Sequence, residues 1–152
     1  MDVVLYPAGG HGDMVLSRVA IARIAALLTG AGHRVRVECR EACAYLLDDL
    51  GLEVTPVPRA SMAAIESGAP YTRLPGWTGI YLWQALYGDV FKTHGLSWAG
   101  QVATYNRQAG ACGLPLLDAG DTVPLVSFGH PETPLPDVPP GSIIVENHPA
   151  LS

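Results

Sequence analysis

The stretch Gly9-Gly10-His11-Gly12-Asp13 places an imidazole and a carboxylate two residues apart in a glycine-rich run. Either side chain can take a proton from a hydroxyl within hydrogen-bond reach. Glycine lets another group approach the backbone closely and permits φ > 0. The apolar run 14–28 that follows reads as a helix, whose first turn offers N–H groups and the positive end of a dipole to an anion. His11 and Asp13 are therefore the candidate catalytic residues, and Gly9, Gly10 and Gly12 the candidate substrate-binding loop. Each has an ordinary reading too: Asp13 as a helix cap, His11 as a solvent-facing turn residue.

The elements that must hold this loop are legible on both sides. Residues 2–6 form an unbroken apolar run of the kind buried in parallel sheets. The helix after the loop carries Val15, Val19, Ala22 and Ala26 on one stripe, with Leu16, Ala20, Ile24 and Leu27 beside it, and Gly30 and Gly32 end it. Residues 34–38 alternate as a second strand, 40–50 read as a second helix closed by Gly51, and 53–57 as a third strand. Pro56 puts that strand at its end or at a sheet edge. Strand–helix–strand–helix–strand implies an α/β, Rossmann-like, doubly wound and mostly parallel sheet flanked by helices.

Further on, 58–78 reads as a loop rich in Pro, Gly and Ser, 79–87 as a short helix, 97–112 as a longer helix stopped by Gly113 and Pro115, and 122–128 as a strand. Five prolines within 131–141 mark a stiff linker. The expected organisation is one domain over 1–130, the linker 131–141, and 142–152 as a terminal strand or the start of a second domain. Trp77, Tyr81 and Trp83 have the types to stack on a sugar face, with core packing as the default.

Composition narrows the function classes. A net charge of −5 with only nine Lys and Arg gives no footprint for nucleic acid. Charged residues make up 15%, which leaves little polar surface and fits a face covered by another domain or subunit. Three cysteines cannot all pair in one chain, and no Cys-x-x-Cys spacing calls for zinc. His94, His130 and His148 are too scattered for metal ligands, so no metal and no cofactor are expected. Cys39 and Cys43 read as small core residues, and Arg18 and Arg23 as solvated charges or partners of nearby acids. Arg18 and Arg23 also interrupt the longest apolar run, so no transmembrane segment is expected. Without a signal-peptide pattern, the expected location is cytoplasmic.

A dinucleotide site is one reading of the loop. Gly10 and Gly12 supply the first two glycines of G-x-G-x-x-G, and Glu38 ends the expected second strand where a ribose-binding acid belongs. The third glycine position is Val15, too bulky for the close helix–strand approach of that fingerprint.

A second pattern fits more of the chain. The apolar strand, the small-residue loop ending in Gly12-Asp13, the long apolar helix, and the turns Gly32-His33-Arg34-Val35 and Leu50-Gly51-Leu52-Glu53-Val54 resemble the N-terminal, acceptor-side domain of glycosyltransferases of the two-domain GT-B fold, in particular the heptosyltransferases. Asn106-Arg107 through Gly113-Leu114-Pro115 and Val123-Pro124-Leu125 are similar to the end of that domain. Residues 143–145 with His148-Pro149 resemble the first strand of the nucleotide-binding half. The resemblance implies sugar transfer from a nucleotide-sugar to an acceptor hydroxyl, with Asp13 as general base and His11 as the second candidate. It also implies a donor-binding half, supplied by a partner subunit or by more of the protein. The alternative is a non-catalytic binding or interaction module of the same fold.

Overall fold

The computed structural model describes residues 1–7, 10–66, 75–82, 88–94, 97–118 and 120. The expected strand at 122–128, the linker at 131–141, the terminal strand at 142–152, and Gly9, Trp83, His130 and His148 lie outside the described residues.

The chain runs β1 (Asp2–Tyr6), α1 (His11–Gly30), β2 (Arg34–Arg40), a 3₁₀ helix (Glu41–Leu50), β3 (Val54–Val57), α2 (Arg59–Glu66), β4 (Thr78–Tyr81), α3 (Gly88–His94) and α4 (Trp98–Cys112). The four strands form one sheet in the order β3-β2-β1-β4, every neighbouring pair parallel. This is the α/β, Rossmann-like arrangement that the alternation of elements predicts. The first three strands step outward to one side of β1, and β4 returns to the other. Among the described strands Pro56 does sit on an edge strand, where its missing N–H costs no internal ladder bond.

One face of the sheet carries the main core. Val3 and Leu5 of β1, Val37 and Cys39 of β2 and Ile80 of β4 are fully buried together with residues of α1, the 3₁₀ helix and α4. Each large aliphatic side chain removed from water there contributes about 1.5–3 kcal/mol. The opposite face is different in kind. The alternating register turns Arg36, Glu38 and Arg40 to the side where Val4, Tyr6, Val57 and Met62 of α2 form a smaller cluster. Trp77 lies half-buried there, with the Arg34 and Arg36 guanidinium carbons each 5.1 Å from its ring. Tyr81 stacks on Tyr6 at 5.0 Å, the packing role that is the default for a core aromatic.

Four expectations change. The buried side of α1 consists of Met14, Ser17, Arg18, Ala20, Ile21, Ile24, Ala25 and Leu28. Ala26 is exposed, and Val15, Val19 and Ala22 are only half-buried. Apolar residues surround most of this helix, so the choice of face falls to the neighbours it meets. The expected second helix is a ten-residue 3₁₀ helix, long for that geometry. Two of its carbonyls are engaged by α1: Ala42 by His11 and Leu46 by Arg18. Side chains inserted in this way compete with an i→i−4 ladder. Residues 59–66, read as loop, form α2. Residues 78–81 are strand β4, not the start of a helix, because they pair along β1 from Val3↔Thr78 to Tyr6↔Tyr81.

The outer side of β4 meets α4. Gln108 Oε1 accepts the Tyr81 N–H at 2.8 Å, and its Nε2 donates to the Tyr81 carbonyl at 2.8 Å. Ser97 caps α4, its Oγ accepting the Gly100 N–H.

Candidate functional site

Ligands of open α/β sheets gather outside the carboxyl ends of the strands, and the structure has a cleft there of about 370 Å³. Gly10 and His11, which follow β1, form one side. Arg40, Glu41, Ala42 and Cys43, where β2 passes into the 3₁₀ helix, form another. Arg59, the first residue of α2, completes it. The loop singled out by its glycines thus forms part of a cavity whose other walls come from two more strand ends.

Gly10 is the N-cap of α1, with extended φ −106° and ψ 166°, and supplies no side-chain cap. The expected helix cap at Asp13 is therefore not formed; Asp13 lies within the first turn. Nor does Gly10 use a positive φ. Its lack of a side chain matters for space, since a Cβ there would sit 3.2 Å from Asp13 Oδ2. The Asp13 carboxylate is thus folded back beside Gly10, exposed to solvent. A Cβ on Gly12 would meet nothing within 4 Å. Gly9 lies outside the described residues.

His11 is held. Its Nε2–H donates to the Ala42 carbonyl at 3.0 Å, and its ring lies 6.2 Å from that of Tyr45, tilted by 46°. A carbonyl oxygen only accepts, so Nε2 carries the proton, and the neutral ring has its lone pair on Nδ1. The 3₁₀ helix that supplies this carbonyl is fixed in turn from α1. Arg18, 1% exposed, donates to the Leu46 carbonyl and makes a bidentate pair with Asp49 at 2.8 and 2.7 Å. Arg18 is therefore the partner of a nearby acid and not a solvated charge, while Arg23 is exposed.

Both cysteines near the cleft are buried and all three are free thiols. Burial pushes the Cys39 thiol up to about 12, with Cys43 and Asp48 adding to the shift, so Cys39 is a neutral core group and no nucleophile.

Glu38 departs from the dinucleotide reading. The strand continues to Arg40, and Glu38 lies inside it with 1% of its surface exposed. A ribose-binding acid needs the strand's tip, and Arg40 occupies that place. Arg40, Glu41 and Arg59 are the residues that the sequence reading missed. Position alone could have found Arg40 and Arg59, because residues just past the ends of parallel strands share one edge of the sheet.

Among the described residues, no group of three or more His, Cys, Asp or Glu side chains is arranged to hold a metal ion, and no helix is long and apolar enough to cross a membrane. No protein-family model matches the chain, and neither a curated protein nor a solved structure matches it.

Proposed function

We propose that the chain is the acceptor-side half of a GT-B-type sugar transferase. An acceptor hydroxyl enters the cleft, Asp13 or His11 takes its proton, and the oxygen attacks the anomeric carbon of a nucleotide-sugar as the nucleotide phosphate departs. The donor is held by a nucleotide-sugar-binding half on the same or a partner polypeptide. What supports this reading is that Gly10 and His11 line the cleft at the sheet's carboxyl edge, with the Asp13 carboxylate beside Gly10. The resemblance of the motif order to that of heptosyltransferases adds the reaction class. Of the two bases, His11 lines the cleft and is oriented by Ala42, whereas Asp13 is the position carried over from that resemblance.

The test supplies the full chain, alone and with a donor-binding polypeptide, with nucleotide-sugars and hydroxyl acceptors, and reads the products by mass spectrometry. Transfer that falls by about a hundredfold or more in Asp13→Asn or His11→Gln, with an unchanged circular dichroism spectrum, supports the base assignment. Unchanged transfer in both variants overturns it. Acceptor binding without transfer makes the chain a binding module.

A further inference from the structure

The cleft has an electrostatic character that the choice of base does not use. Three helices begin at it: α1 with Gly10 and His11, the 3₁₀ helix with Glu41, Ala42 and Cys43, and α2 with Arg59. Neither α1 nor the 3₁₀ helix has a side-chain hydrogen bond at its cap. Helix N-termini present N–H donors and positive partial charge. Two guanidinium groups join them, Arg40 from the end of β2 and Arg59 from the start of α2. Arg59 is exposed and has no ion-pair partner among the described residues. Among the described lining residues Glu41 is the one carboxylate, and the exposed Asp13 carboxylate stands beside Gly10 in the first turn of α1. Guanidinium groups match phosphate and carboxylate oxygens in planar, paired geometry. The volume of about 370 Å³ lies in the range of small-molecule pockets and exceeds what a bare oxyanion needs.

We propose that this cleft is an oxyanion receptor, holding a phosphate or carboxylate carried on a sugar-sized ligand between Arg40, Arg59 and the first turn of α1. This rests on the acceptor-side reading only for the role of the ligand; the preference for an anion follows from the paired guanidinium donors and the N–H groups of the helix starts, set against the Glu41 and Asp13 carboxylates. Arg59 grips the anion, Arg40 adds to the field, and Glu41 and Asp13 oppose it. The body of the ligand then lies along His11.

Binding of glucose 1-phosphate, glucuronate, inorganic phosphate and glucose to the full chain, followed by calorimetry and amide NMR, tests this. The two charged sugars are expected to bind at least about tenfold more tightly than glucose, to shift the Gly12 and Asp13 amides, and to weaken as salt is raised. Arg59→Gln removes the preference, Arg59→Lys keeps part of it, and Glu41→Gln strengthens anion binding. A structural role for these exposed side chains predicts no such opposite signs. Glucose binding as tightly as its phosphate, or anion affinity unchanged in Arg59→Gln, overturns the proposal. Inorganic phosphate binding as tightly as the sugar phosphate overturns the sugar-sized ligand. Anion preference without any transfer leaves the receptor standing and removes the transferase reading; transfer to a neutral acceptor without anion preference does the reverse.

Discussion

At the scale of single residues, His11 and Asp13 differ in what holds them. Asp13 is exposed in the first turn of α1 and does not cap the helix. Its structural contribution is that of a carboxylate near a helix N-terminus, about 0.3–1 kcal/mol. Asp13→Asn should therefore lower the urea-unfolding free energy by no more than about 1 kcal/mol, so a large loss of transfer in that variant would be chemical. For His11, nitrogen-detected NMR at a pH where the ring is neutral should show a protonated Nε2 and a bare Nδ1, the state set by the Ala42 carbonyl. The opposite tautomer would mean that this bond is not made. Both residues were legible in the sequence, because glycines around two titratable groups between a strand and a helix are a local signal. Arg40 and Arg59 carry no local motif and were legible only by position, just past the ends of two expected parallel strands.

At the scale of elements, α1 and the 3₁₀ helix behave as one unit joined at two points, His11 to Ala42 and Arg18 to Leu46 and Asp49. Arg18 is a buried charge, and its removal takes the donor from the Leu46 carbonyl and from Asp49. Arg18→Ala should cost about 1–3 kcal/mol, measured by urea denaturation. It should also free the 3₁₀ helix enough to broaden the His11 ring signals, while Arg23→Ala changes neither. The sequence marked α1 well through its length and its glycine stop, yet not its buried side, because apolar residues lie nearly all round it. The 3₁₀ geometry was illegible for a related reason: the residues that draw out its carbonyls belong to another element. Strand β4, Thr-Gly-Ile-Tyr, carries too little local preference to declare itself. Pairing with β1 decides it, and Gly79 fits because a Cβ there would sit 3.2 Å from the Tyr6 ring.

At the scale of the whole molecule, the core between sheet and helices holds two acids in neutral form. Burial pushes both the Cys39 thiol and the Tyr105 phenol up to about 12, and Tyr105 also donates to the Pro115 carbonyl at 2.7 Å. In the unfolded chain these groups ionise near roughly 8.5 and 10. Folding stability is therefore fully present below those values and declines as pH rises from there toward about 12, where the folded groups ionise as well. Urea midpoints should be level from pH 6 to 8 and fall between about pH 9 and 11, less steeply in Cys39→Ala; equal slopes in both proteins would assign the loss elsewhere. The side chain of Gln108 has a consequence on this scale too. It satisfies the N–H and carbonyl of Tyr81 much as a neighbouring strand would. At that residue the sheet has no spare backbone pair to offer, so another chain cannot zip along the full length of β4. Any strand that joins this edge must keep its register short of Tyr81, and α4 thereby fixes how far toward the cleft the sheet can grow.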